Sequence, residues 1–298
     1  MEDVIIIGGS FAGLTAAMHL VRARRKVTII DSNLPRNRYA KEAHNVLGFD
    51  GASPFEIREK GLANVLAYPT ARHIEGEVVG VGGQLDDFAV RLAGGEALSG
   101  RRLILAYGVR DQFPEIPGFA ESWGSTVIHC PYCHGYEVAG GRIGLLYSSP
   151  ASLHVAVLLR DWADDLTLFT NGLDIPDTEE ARIQSEGMKV YEGAVTEIVR
   201  EDNKVKAVRI ASGREVPLDA LLAHPKVQPS ARLHEDLGAA TSDAPLGPFL
   251  TIDHEFQTTV PGVFAAGDLA GPRHSINGAI YGGSMAAVGC HRSLLGLI

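Results

Sequence analysis

Cys130-Pro131-Tyr132-Cys133, followed at once by His134, is the part of the chain with the plainest chemical capacity. Two thiols at this spacing can close a disulfide, and when they begin a helix its N-terminus favours the thiolate, the reactive species. The only other cysteine of the 298 residues, Cys290, has no partner in sequence and reads as a packed small hydrophobe. Three cysteines are too few for a disulfide scaffold at this size, so in a reducing compartment a close pair is catalytic or metal-binding. A zinc site needs about four ligands, and beyond His129 and His134 there is no second Cys or His cluster. A buried structural pair is the bland alternative; a redox dithiol is the reading with a mechanism. His134 titrates near neutrality and can take a proton from a thiol, unless it is a surface or capping histidine.

A second constellation opens the chain. Gly8-Gly9-Ser10-Phe11-Ala12-Gly13 lies between an apolar run and a helical pattern, with Asp31 roughly 20 residues further on. Gly8 permits a tight turn and Gly13 lets helix and strand approach. The helix N-terminus faces a pyrophosphate, and Asp31 accepts from ribose hydroxyls. Ser10 stands where the second glycine of this fingerprint belongs, and its hydroxyl can itself bond a phosphate.

The elements that position these residues follow from periodicity. Val4–Ile7 is a β-branched strand. Phe11, Leu14, Ala17, Met18 and Val21 fall at helical spacing over 11–25, and Val27–Ile30 is a second strand. This βαβ opening predicts a parallel sheet. Residues 33–72 read as amphipathic helix pieces, and 74–92 as short strands broken by Gly80, Gly82 and Gly83. Leu103–Ala106 reads as a buried strand. After Pro114 and Pro117-Gly118 the pattern restarts: strand at 143–146, helix at about 150–163, strand at 166–169. Short strands over 196–222 follow, then Val263–Asp268 and a final helix at about 277–295. The fold class is α/β with two Rossmann-like domains.

Twenty-seven basic against 36 acidic residues give a net charge of −9, which repels phosphate backbones and anionic lipid and argues against nucleic-acid or membrane partners. The N-terminal residues show no basic leader region and no membrane-spanning apolar run, so a soluble cytoplasmic protein is expected.

Thr258-Thr259-Val260-Pro261-Gly262-Val263-Phe264-Ala265-Ala266-Gly267-Asp268 resembles the second FAD motif of two-dinucleotide-domain flavoproteins, and Ala106-Tyr107-Gly108 resembles their A-T-G turn with Tyr for Thr. With the Cys pair between the halves, essentially the whole chain resembles the low-molecular-weight thioredoxin reductase family. The resemblance implies FAD as cofactor, held by Gly8, Ser10, Ala12, Gly13, Asp31, Gly108, Gly267 and Asp268. Asn45, in a segment similar to the family's V-E-N-x-P-G stretch, is implied at the flavin ring. Ser275 and Ile276 are implied by the likeness of Arg273-His274-Ser275-Ile276 to R-Q-A-V. The same resemblance implies a discontinuous FAD-binding domain of 1–111 and 226–298 around a central module of 112–225, and a homodimer. It makes Cys130 the interchange thiol and Cys133 the flavin-proximal one.

The chain departs from that family where NADPH would bind. The second turn, Tyr147-Ser148-Ser149-Pro150-Ala151-Ser152, has no glycine, and Thr170-Asn171-Gly172 replaces the arginines for the 2′-phosphate. Charge-assisted phosphate contacts are each worth ~1.5–3 kcal/mol, so nicotinamide affinity should fall by several. The C-x-x-C-H pattern with Gly-Tyr-Glu is similar to the FAD-dependent dithiol oxidases of disulfide natural products, typified by gliotoxin and holomycin oxidases. The expectation is a flavin-dependent thiol–disulfide oxidoreductase with catalytic Cys130, Cys133 and His134 and no metal. Its substrate would be a small-molecule dithiol or small protein disulfide, with dioxygen or another redox protein as electron partner. An NADPH-dependent thioredoxin reductase, a flavin-binding redox sensor and a zinc-stabilised module are the competing expectations.

Overall fold

The computed structural model describes residues 1–177, 179, 183 and 187–298. They form two compact units: the first comprises Met1–Arg38, Pro54–Arg110 and Val227–Ile298, the second Tyr39–Ser53 and Asp111–Lys226. Among the described residues no helix is long and apolar enough to cross a membrane.

The first unit is built on β1 (Glu2–Ile7), α1 (Phe11–Arg22), β2 (Val27–Asp31), α2 (Pro54–Leu66), β3 (Ala71–Glu75), β4 (Val78–Gln84), β5 (Asp87–Leu92) and β6 (Ala97–Leu105). β3, β2, β1 and β6 pair in parallel in that order. β6 divides its other edge, its first half pairing antiparallel with β5 and its second half parallel with Val263–Ala265. Leu103 therefore lies between Ile5 and Val263. Both faces are covered, as a parallel sheet requires. Val4 and Ile6 pack with Leu20, Phe264 and Ala286, while Ile5 and Ile7 pack with Phe88, Leu105 and Leu250. Each such side chain removed from water contributes about 1.5–3 kcal/mol.

Helix α1 is shorter than its periodicity predicts. The chain turns left-handed at Arg24 (φ 62°), and the Ala23 and Arg25 amides close on the carbonyls of His19 and Leu20, releasing Val27 into the sheet. Gly80, Gly82 and Gly83 lie inside β4 instead of breaking it. The requirement is strict at Gly83 (φ 105°), where a Cβ would stand 2.1 Å from the Asp87 carbonyl oxygen. The last helix runs Ile276–Leu294.

The second unit carries a parallel sheet ordered Lys189–Tyr191, Ala163–Phe169, Gly141–Leu146, Ala220–Leu222, Val127–Ile128. The antiparallel strands Val195–Glu201, Lys204–Ile210 and Glu215–Pro217 accompany it. Its helix spans Ala151–Leu159, ending before the expected 163 because residue 163 already begins a strand. The α/β class with parallel sheets is as expected. One boundary differs: Tyr39–Ser53 belongs to the second unit. Its contacts explain why, since the Tyr39 ring meets Phe113 edge-on at 6.1 Å and the Asn45 amide donates to the Tyr132 carbonyl.

Candidate functional site

In the first unit the expected cofactor residues gather at the C-terminal ends of adjacent strands. Gly8 (φ 107°) turns the chain out of β1, and a Cβ there would lie 2.3 Å from the Ala106 carbonyl oxygen; one on Gly13 would lie 1.8 Å from the Gly8 oxygen. Only glycine permits both approaches. Ser10 caps α1 in an extended conformation without a side-chain capping bond, and the first turn holds no acidic residue, so that end of the helix is left for an anion. Ala12 touches Gly267, whose Cβ would stand 3.0 Å from the Ala12 methyl, which joins the two halves of the motif.

Two arginines that sequence reasoning missed hold the acids in place. Arg58 donates from Nε to the Gly9 carbonyl at 3.0 Å and from Nη2 to Asp31 at 2.9 Å, tying the glycine turn to the end of β2. Arg36 donates to Asp268 at 3.0 Å and to His274 Nδ1 at 2.7 Å. Nothing in the sequence marks either residue, because each partner lies far along the chain. Gly108 (φ 66°) follows Tyr107, whose hydroxyl meets His234 Nδ1 at 3.1 Å. Burial pushes the Tyr107 phenol well above its ordinary range, so it remains a donor. Ser275 accepts from the Gly278 amide at 2.9 Å and thereby caps the terminal helix at Ile276. A close-packed glycine turn, a helix end without an anion of its own and two anchored acids fit a dinucleotide.

The second unit holds the thiols. Cys130 caps the short helix Pro131–His134. Pro131 at its first position has no amide, so the first donors are Tyr132 and Cys133. The two sulfurs are 2.7 Å apart, with the Cys133 thiol donating to Cys130. That donation is the main cause that lowers Cys130 to about 7; burial opposes it, and the backbone amides of Cys133 and Tyr132 add to it. The shared proton and burial together push Cys133 far above the ordinary thiol range. The reduced pair thus holds one thiolate and one retained proton.

His134 follows directly. Its Nε2 is buried with no hydrogen-bond partner among the described residues, and burial lowers its pKa, with Glu137 opposing. Its ring lies edge-on to His44 at 6.2 Å. Asn45, implied at the flavin ring, takes φ 62° and places its amide 2.5 Å from the Tyr132 carbonyl, between the cysteines in sequence. Cys290 is fully buried in the first unit's core, where burial raises its thiol, as its isolation in sequence predicted. Trp123 lies in the second unit's core with His129 stacked on it.

The glycine-free turn at 147–152 is filled from within. The buried Ser152 hydroxyl accepts from the Ser148 amide at 3.2 Å and the Ser149 amide at 3.4 Å, and meets the Ser148 hydroxyl at 3.2 Å. The turn thus satisfies two of its own amides from within. Asn171, at the end of the next strand, accepts from the Val195 amide at 3.0 Å.

A family model described as pyridine nucleotide-disulphide oxidoreductase matches residues 2–290. The chain is 32% identical over 295 residues to thioredoxin reductase tcpT of Claviceps purpurea, covering 95% of this chain and 91% of that protein. An oxidoreductase from Agrobacterium tumefaciens of known crystal structure is 42% identical, with a TM-score of 0.94 and 99% of each chain covered. The crystal structure of HlmI is 38% identical, with a TM-score of 0.92 over 99% of this chain and 93% of that one.

Proposed function

The chain belongs to the pyridine nucleotide-disulphide oxidoreductase family, is thioredoxin reductase-like and uses FAD, and from that premise we propose that it is a dithiol oxidase independent of NADPH. The observation that carries this reading is the turn at 147–152, which has no glycine and whose Ser148 and Ser149 amides already donate to the buried Ser152 hydroxyl. A ligand entering there would have to displace a buried hydroxyl and restore its bonds, each worth about 0.5–1.5 kcal/mol.

In this reading Gly8, Ser10, Ala12, Gly13, Asp31, Gly108, Gly267, Asp268, Ser275 and Ile276 hold the FAD, with Asn45 at its ring. Bound FAD would supply the two-electron sink for the reduced pair, with dioxygen as terminal acceptor. The chain's own residues do the thiol chemistry. His134 takes the proton of a substrate thiol; the resulting thiolate attacks Cys130 of the oxidised pair, and Cys133 leaves and takes that proton from His134. His134 then takes the proton of the second substrate thiol, whose thiolate resolves the mixed disulfide and releases Cys130 as a thiolate, the state that Cys133 and two amides favour. The substrate is a small dithiol, and the same parts run backwards would reduce a disulfide. The reductase direction draws support from the name of thioredoxin reductase tcpT.

Anaerobic stopped-flow absorbance separates the two directions. The purified protein is mixed with excess NADPH or with dithiothreitol, and air is then admitted. Bleaching of the flavin by the dithiol alone, with colour returning in air through repeated turnovers, is the expected result. Rapid bleaching by NADPH would return the protein to the NADPH-dependent reductases.

A further inference from the structure

His44 has no part in the scheme above, yet the second unit arranges it against the base. The segment carrying it lies along the Cys pair: Asn45 donates to the Tyr132 carbonyl, and one residue earlier the His44 ring meets His134 nearly perpendicular, at 89° and 6.2 Å between centroids. His44 Nε2 lies 3.4 Å from Glu137 and 3.8 Å from Glu42, and its Nδ1 lies 3.6 Å from Asp50. The ionisable groups facing it are therefore three carboxylates and His134. Its side chain is 17% exposed, so it touches solvent where the His134 Nε2 does not.

A proton count gives this placement a purpose. A dithiol brings two thiol protons to the oxidised pair and leaves as a disulfide. The reduced pair keeps one proton, on Cys133, because Cys130 is left as thiolate. Electrons balance, two leaving the substrate and two reducing the Cys130–Cys133 bond. One proton remains on the protein, on His134, a buried imidazole whose surroundings disfavour the charge. It must leave before the next substrate thiol can be deprotonated.

We propose that His44 is a positioning and relay residue that takes this proton from His134 and passes it to solvent beside Glu137, Glu42 and Asp50. The inference rests on the dithiol reading of the preceding section and deepens it at the same site. Glu137 joins the two histidines electrostatically, facing His44 at 3.4 Å and acting on His134.

The test is reduction of the oxidised holoenzyme by dithiothreitol under argon, followed by stopped flow between pH 6 and 9. His44→Ala should slow flavin reduction ~100-fold, the low end for a positioned proton carrier, and added imidazole should restore the rate. His44→Gln, which keeps the size but carries no proton, should be equally slow and show an enlarged solvent deuterium effect. If His44→Ala retains no flavin, His44→Gln decides alone: a wild-type rate, or a slow rate with an unchanged deuterium effect, overturns the relay. Slow His44→Ala that ignores imidazole beside fast His44→Gln also overturns it, as that pattern reports packing. A wild-type protein that dithiothreitol does not bleach sinks the dithiol reading and this inference together. A bleaching wild type with indifferent His44 variants sinks the relay alone.

Discussion

Replacing Cys133 by alanine should raise the pKa of Cys130, because the Cys133 thiol is the largest cause of its depression. A hydrogen bond to a charged acceptor is worth about 1.5–3 kcal/mol, and one pKa unit is 1.36 kcal/mol, so the loss amounts to about 1–2 units. From about 7 in the wild type, Cys130 would then titrate at about 8–9. At pH 7 its thiolate fraction falls from about one half to roughly 1–10%, and alkylation by iodoacetamide, which needs the thiolate, slows ~5–50-fold. The sign is open to test: the deficit must shrink to almost nothing as the pH approaches about 10, where both proteins are ionised. The assay is the alkylation rate of reduced protein from pH 5.5 to 10. Cys290 does not interfere because it is fully buried. Cys133→Ser retains an O–H donor and should keep most of the depression. A midpoint that stays near 7 in Cys133→Ala would refute the argument and assign the thiolate to the backbone amides of Tyr132 and Cys133.

Arg58→Ala removes the bonds to Gly9 and Asp31 that fix the acid of β2. FAD affinity should fall ~10–100-fold, read from the fluorescence of free flavin on dilution, and unchanged retention would show that Asp31 is oriented without the arginine. Gly13→Ala places a Cβ 1.8 Å from the Gly8 oxygen, so α1 must move off β1. A loss of ~3 kcal/mol in urea denaturation is expected, and a yellow variant of unaltered midpoint would contradict the close approach.

How much of this was readable in the residues depends on the range of the interaction. The β1–α1–β2 opening is local: β-branched runs and helical spacing lie within a few residues of one another, and the turn between them needs glycines wherever its partners come from. Cys130 and Cys133 are legible for the same reason, since a separation of three keeps them close whatever surrounds them. The degenerate second turn was visible as missing glycine. That Ser152 fills it was not, because a serine in that position has many equally ordinary uses.

The residues that went unread are those whose meaning comes from a distant partner. Arg36 reaches Asp268 across a sequence separation of 232 and Arg58 reaches Asp31 across 27, and no local pattern separates either arginine from a solvated one. The segment Tyr39–Ser53 is the sharpest case. By chain order it belongs with the first unit, yet Asn45 finds Tyr132 across a separation of 87 and His44 finds His134 and Glu137. Local patterning therefore supplies the residues proposed as nucleophile and base, whereas those proposed to move the proton onward become visible only when the chain has folded around them. A site whose chemistry is a sequence of transfers divides in this way by its nature. In that scheme the first acceptor can sit beside the reacting thiols in sequence, as His134 does after Cys133, but the second must stand apart from them, nearer solvent, and so comes from another stretch of chain.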